Sequence, residues 1–239
     1  MKKLILLSAV IALAASCGGN GSSKNDNKAD EAAAPAAAKA AASAPEAVDL
    51  GLSVKWASCN LGAANGNEAG NFYAWGETAP KGSYGKDTYR FCDEKKYFTK
   101  YIPEETLGYC SCDGLLKLEP ADDAVTVALG APWRMPTRDE VLELIEKCTI
   151  GFSDGAFIVT GPNGNSIRIP ASGYRSDAKL YQEKSPFLWC STLFGQEQTI
   201  LDETSIHYHV MYADVFDVNV REIVRQYREY GIPIRPVKE

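Results

Sequence analysis

The chain has 239 residues, 45% hydrophobic and 23% charged, the balance of an ordinary globular protein and not of a disordered or fibrous one. Net charge is −6; residues 1–46 hold five Lys and four acidic residues, so 47–239 carries 20 basic against 27 acidic, or −7. An acidic domain without a basic stripe argues against a nucleic-acid partner and against electrostatic binding to an anionic bilayer.

Residues 1–16 read as a lipoprotein signal peptide. Lys2 and Lys3 precede an apolar run from Leu4 to Ala15, which is shorter than the roughly 20 residues a spanning helix needs and has the layout of a cleavable leader. Leu13-Ala14-Ala15-Ser16-Cys17 resembles the lipobox of bacterial lipoproteins, in which the Cys thiol receives diacylglycerol. Cys17 is therefore the expected lipidation site and the bilayer an expected partner, because two or three acyl chains anchor stably where one does not. Residues 17–46 then form a stalk, rich in Gly, Ser and Asn to residue 31 and in Ala from 32 to 44. Such a segment has no apolar face to offset the entropy of ordering it. Residues 47–239 contain no second linker and are expected to form one domain.

Within that domain, Val48, Leu50, Leu52, Val54 and Trp56 alternate with Asp49, Gly51, Ser53 and Lys55, which predicts a half-buried strand. The next stretch interleaves Gly66, Gly70, Gly76, Gly82 and Gly85 with Phe72, Tyr73, Trp75, Tyr84 and Tyr89, a composition expected of long loops pinned by buried rings. A short helix is expected over Asp122–Leu129, with a carboxylate at its N-terminus. A longer helix should start at Thr137, where Glu140 completes a capping box and Val141, Leu142, Leu144, Ile145 and Cys148 follow at helical spacing. Asn163-Gly164 between Phe157–Val159 and Ile167–Ile169 predicts a hairpin. Strands are also expected at 187–191 and 205–212. Residues 221–230 fit a helix as well as a strand, and Pro233 and Pro236 place 232–237 at a sheet edge if it is a strand. The sum is an α+β domain of short antiparallel strands, one or two main helices and long loops.

Candidate chemistry is sparse. With Cys17 acylated, Cys59, Cys92, Cys110, Cys112, Cys148 and Cys190 remain, an even set whose pairing is open among fifteen connectivities. His207 and His209 share a strand face without an evident third ligand, so no metal or cofactor is expected. Asp122, Asp123 and Arg134 are expected to form a charged cluster bracing helix to loop. No nucleophile elbow or phosphate loop is present, and catalytic residues are not expected. The aromatic content, 12 Tyr, 8 Phe and 4 Trp, suits contact surfaces as well as core.

Several segments in order resemble the Fibrobacter succinogenes major paralogous domain family: Ala47-Val48-Asp49-Leu50-Gly51-Leu52-Ser53-Val54-Lys55-Trp56-Ala57, Asn71-Phe72-Tyr73-Ala74-Trp75-Gly76-Glu77, Asp122-Asp123-Ala124, Trp133-Arg134-Met135-Pro136-Thr137, Pro170-Ala171-Ser172-Gly173-Tyr174-Arg175 and Ile234-Arg235-Pro236-Val237. The resemblance spans nearly the whole domain and implies a C-type-lectin-like fold. No Glu-Pro-Asn or Trp-Asn-Asp motif accompanies it, so calcium-dependent sugar binding is not implied. The expectation is a lipoprotein of the outer membrane, displayed at the cell surface or facing the periplasm. It would bind an extracellular glycan or protein without catalysis; a structural or assembly role in the envelope is the alternative.

Overall fold

A computed structural model describes residues 44–103, 112–193 and 212–239. The leader, Cys17, the stalk up to residue 43, Cys110, His207 and His209 lie outside the described residues, as does the strand expected at 205–212 except for Tyr212.

The alternating segment at the start of the domain is two short strands and not one. β1 (Ala47–Val48) turns back through residues 49–54 to pair antiparallel with β2 (Lys55–Ala57), Val48 opposite Trp56. Gly51 has φ +76°, a left-handed conformation that breaks an extended run, and Asp49 accepts its N–H at 2.7 Å. Leu50 and Val54 are still buried, so the alternation records burial correctly while the chain between them is a loop.

The C-terminal strand, β12 (Val237–Lys238), is not at an edge. It lies between β2 and β3 (Trp133–Arg134) in a four-stranded antiparallel sheet of order β1-β2-β12-β3. Pro233 and Pro236 precede the paired residues and contribute only acceptors: Trp189 donates to the Pro233 carbonyl at 3.1 Å and Ala57 to that of Pro236 at 2.8 Å. The missing prolyl N–H groups therefore cost no ladder bond.

The two helices follow their capping chemistry. Asp123 caps α1 (Ala124–Leu129), accepting from Val125 and Thr126, so the helix starts two residues after the expected Asp122, which lies in a 3₁₀ turn. Thr137 caps α2 (Arg138–Lys147), and both halves of the box with Glu140 are formed. Helix α2 buries Val141 and Leu144 in a cluster with Leu50, Trp56, Ile167 and Ile169. That cluster rests on the sheet β4 (Thr149–Ser153), β5 (Ala156–Thr160) and β6 (Ser166–Pro170), in which β5 and β6 form the expected hairpin with Val159 opposite Ile167.

β7 (Tyr174–Ser176) and β8 (Lys179–Tyr181) make a separate hairpin. The last sheet has the order β11-β10-β9, with β9 at Phe187–Leu193, β10 at Tyr212–Asp217 and β11 at Glu222–Tyr227. Every residue of β9 is buried, as a continuous apolar run implies. The ambiguous segment 221–230 is thus mainly strand: β-branched Ile223 and Val224 suit a pleated surface and pair with Phe216 and Val215. Small, mostly antiparallel sheets with two helices make this a mixed α+β architecture.

A second core cluster gathers Trp75, Tyr84, Tyr89, Phe91, Phe98 and Tyr101 from the irregular region against Trp189, Val215 and Ile234. Their polar ends close backbone bonds. Trp75 Nε1 donates to Cys190 O at 2.9 Å, Trp189 Nε1 to Tyr73 O at 2.8 Å, and the Tyr84 hydroxyl to Phe72 O at 2.6 Å. The rings expected to pin the loops do so by hydrogen bonding as well as packing.

At Gly161, which opens the β5–β6 turn, an added Cβ would lie 2.0 Å from the Leu50 carbonyl oxygen. Gly161→Ala is expected to lower stability by about 2 kcal/mol or more, read as a shift in the urea midpoint. An unchanged midpoint would show that the Leu50 loop yields freely.

Candidate functional site

Five tyrosines from three parts of the domain meet in one row. Tyr174 of β7 and Tyr181 of β8 are direct cross-strand partners, a register that brings Cβ atoms within about 5.5 Å; their rings stack with centroids 5.6 Å apart and planes 17° apart. Tyr212 of β10 and Tyr227 of β11 are likewise opposite each other, at 4.7 Å. Tyr230 joins the two pairs. It follows β11 in a turn closed by its N–H on Tyr227 O at 3.0 Å, and the next residue, Gly231, bridges to Arg175. Tyr230 thereby stacks on Tyr174 at 5.3 Å and 7°, and meets Tyr227 edge-on at 5.2 Å.

Beneath the row, Phe187 of β9 sets its ring against Tyr174 at 5.8 Å and 77°, which fixes the central ring from the core side. Tyr212 is buried, Tyr174, Tyr227 and Tyr230 are half-buried, and Tyr181 is 40% exposed. Burial and a hydrogen bond with Ser176 act in opposite senses on the Tyr230 phenol; burial, the larger, raises its pKa. The Arg225 guanidinium lies over Tyr212 at 5.2 Å, and that of Arg175 over Phe72 at 4.8 Å. Such a surface offers ring faces, ring edges, hydroxyls and two guanidinium groups, a mixture suited to recognition and without a reactive nucleophile.

The expected charged cluster is divided in the structure. Asp122 accepts from Lys100 Nζ at 2.7 Å and from the Tyr101 hydroxyl at 2.6 Å, and Arg90 lies 3.2 Å away. Burial pushes the Asp122 carboxyl up, but the bonds from Lys100 and Tyr101 outweigh it and hold the pKa below the ordinary value. Asp123 instead caps α1 and accepts from the Met135 N–H at 2.8 Å. Arg134 makes two bonds to Glu140, at 2.8 and 2.6 Å, and reaches Glu239. The three residues serve separate structural contacts: an exposed-to-buried ion network, a helix cap and the brace of α2. Sequence proximity of Asp122 and Asp123 conceals that adjacent side chains leave a 3₁₀-to-α junction in different directions.

Cys59, Cys92, Cys112, Cys148 and Cys190 are free thiols. Burial pushes Cys92 up to about 11 and raises Cys148 and Cys190 as well, which disfavours the thiolate that nucleophilic chemistry requires. Among the described residues, no group of three or more His, Cys, Asp or Glu side chains is placed to hold a metal ion.

The tyrosine row was not legible as a site in the sequence. Its members span residues 174 to 230 and were visible only as part of a high aromatic count. The one local signal was the hairpin potential that sets Tyr174 against Tyr181, and no turn of the Asn-Gly type marked it.

Glu229, between Arg228 and Tyr230, is buried, and its Oε2 has no hydrogen-bond partner. Burial raises its carboxyl pKa, against the attraction of Lys86, Arg228 and Lys81. An acid whose folded pKa exceeds its unfolded value destabilises the fold increasingly as pH rises past the unfolded value. Glu229→Gln is therefore expected to stabilise the protein at pH 7, with the gain vanishing below about pH 4. Urea titrations of both proteins at the two pH values check this, and a loss of stability at pH 7 contradicts it.

Compared with family models, curated proteins and solved structures, the chain finds no match.

Proposed function

We propose that this chain is a bacterial lipoprotein whose Cys17 is acylated in the outer membrane. Its domain works as a non-enzymatic binding or adhesion module with the tyrosine row as the recognition surface. The observation that carries the reading is the run of ring contacts from the exposed Tyr181 through the half-buried Tyr174, Tyr230 and Tyr227 to the buried Tyr212. Tyrosines supply large, rigid contact area with a polar tip and are enriched where partners are recognised. The ligand class is an extracellular glycan or protein. The leader and stalk support tethering at a distance from the bilayer, and the ordered family motifs support a C-type-lectin-like fold and display at the cell surface.

An assembly role in the envelope is the second reading. It draws support from β11, which among the described residues pairs only with β10 and ends its sheet, because an edge strand can accept a strand from another chain.

Radiolabelled palmitate should mark the wild-type chain and leave Cys17→Ser unmarked. The soluble 47–239 fragment, screened on glycan and protein arrays, should find a ligand that Tyr174→Ala weakens. Silence across broad arrays, together with one stoichiometric partner cross-linked in cells, would transfer the weight to the assembly reading.

A further inference from the structure

The turn that mounts the tyrosine row encloses a buried acid. Arg228, at its start, bonds the Tyr89 hydroxyl and the carbonyls of Tyr101 and Lys100, and its own carbonyl accepts from Trp75 at 2.8 Å. Gly231, at its end, exchanges two backbone bonds with Arg175, at 2.9 and 2.7 Å. Glu229 and Tyr230 lie between these anchors. One bond, from the Tyr230 N–H to Tyr227 O at 3.0 Å, closes the turn. Tyr230 stacks on Tyr174, 5.3 Å away and 7° from parallel. Glu229 is 6% exposed, and its Oε2 has no hydrogen-bond partner.

Three cations attract the Glu229 carboxyl, and each is held elsewhere. Lys81 bonds Glu77 and Thr88 O, at 2.8 and 2.7 Å, and Arg228 is fixed as above. Lys86, in the 3₁₀ turn Lys86–Thr88, lies over the Phe98 ring at 5.1 Å. Tyr89, Tyr230 and Cys92 also feel the charge of Glu229, and burial keeps all three neutral well above pH 7. A buried carboxylate without a bonded partner is strongly unfavourable, whereas the neutral acid is much less so. Burial accordingly outweighs the three cations and raises the pKa of Glu229.

We propose that the turn from Tyr227 to Gly231 is a pH-sensitive latch on the tyrosine row: neutral Glu229 stays beneath the turn and Tyr230 stays on Tyr174, while ionised Glu229 moves out to water and takes Tyr230 off the stack. Because the whole residue is covered, backbone included, a rotamer change alone gives the carboxylate little water. The peptide joining it to Tyr230 must turn, and the anchors at Arg228 and Gly231 confine that movement to these two residues. The acid's proton passes to solvent, and the sign follows from the raised pKa: the closed turn binds the proton more tightly than the open one, so rising pH favours opening. The latch belongs to the row itself, whatever the row binds.

Native-state hydrogen exchange of the full chain, from about pH 4 to about pH 8, provides the test. Dividing the Tyr230 amide rate by that of Glu229→Gln at the same pH removes the intrinsic pH dependence of exchange. The ratio should grow by up to about tenfold per pH unit above the ordinary carboxylate pKa and then level off. Throughout, the Tyr230 amide should exchange about tenfold or more faster than the slowest amides of β5 and β6, the mark of a local opening. Nitration of Tyr230, located by mass spectrometry and divided by the rate in the same variant, should rise over the same interval. Glu229→Ala, which also removes the charge, serves if the Gln variant does not fold. A flat exchange ratio overturns the proposal, as does a Tyr230 amide that exchanges only as fast as the slowest core amides. A rising exchange ratio with unchanged nitration shows the turn opening without the ring, and that also overturns it.

Discussion

Arg228 is the interaction on which the irregular half of this domain depends. Its guanidinium is fully buried among Trp75, Tyr89, Phe98 and Tyr101, with ring centroids 4.7 to 5.8 Å away. It donates to the Tyr89 hydroxyl at 3.2 Å and to the carbonyls of Tyr101 and Lys100 at 3.2 and 2.8 Å. The chain from Phe72 to Ile102 has little ladder structure, so its inward carbonyls need donors from elsewhere. A planar group with five N–H donors that also stacks on aromatic rings meets both requirements at once; an ammonium does not. Arg235 does the same on the other side, binding Asn60 Oδ1, Ala57 O and Arg168 O at 2.7 to 2.9 Å. Its environment is costly enough that burial lowers its pKa to about 10.

The tyrosine surface is a consequence of that constraint. Arg228 ties the end of β11 to the loops, and its own carbonyl accepts from Trp75 at 2.8 Å. Residues 230 and 231 follow directly. Gly231 has no side chain because the Tyr84 ring lies against it, 2.8 Å from where a Cβ would be. This close approach permits the bridge to Arg175, which brings Tyr230 alongside Tyr174. The tyrosine row is thus mounted on the same buried cation that organises the core. Substitutions at Arg228 would disturb the row and the fold together, whereas Tyr181, at the far end of the stack, lies on an exposed strand away from that core.

The motifs that carry the family resemblance have a common physical character. Trp56, Trp75, Met135 and Arg235 are all but fully buried, and Glu77, also buried, accepts from Lys81 and from the Arg90 N–H, each at 2.8 Å. Trp133 and Arg134 form β3, and Thr137 caps α2. Gly173 lies where a Cβ would stand 2.2 Å from the Tyr181 carbonyl. These residues build the scaffold and make none of the exposed part of the tyrosine row except through Tyr174. A resemblance resting on them therefore speaks to architecture.

The sequence by itself determined what local chemistry decides. The capping box at Thr137, the Asn-Gly hairpin of β5 and β6, the buried β9 run and the ring-pinned loops each depend on neighbours a few residues away or on the burial of one apolar stretch. It also carried the segment Leu13–Cys17, which resembles a lipobox and whose reading depends on a few adjacent residues alone. Tertiary structure decided the rest. Whether Val48–Trp56 was one strand or two turned on a left-handed Gly51. Whether residues 232–237 lay at an edge turned on β2 and β3 closing around β12, with prolyl carbonyls accepting the bonds. The separate partners of Asp122, Asp123 and Arg134 and the meeting of five distant tyrosines required strand registers that no local pattern encodes. Register and loop docking are set by the summed burial of the whole chain, so the surface they create exists only once the chain is folded.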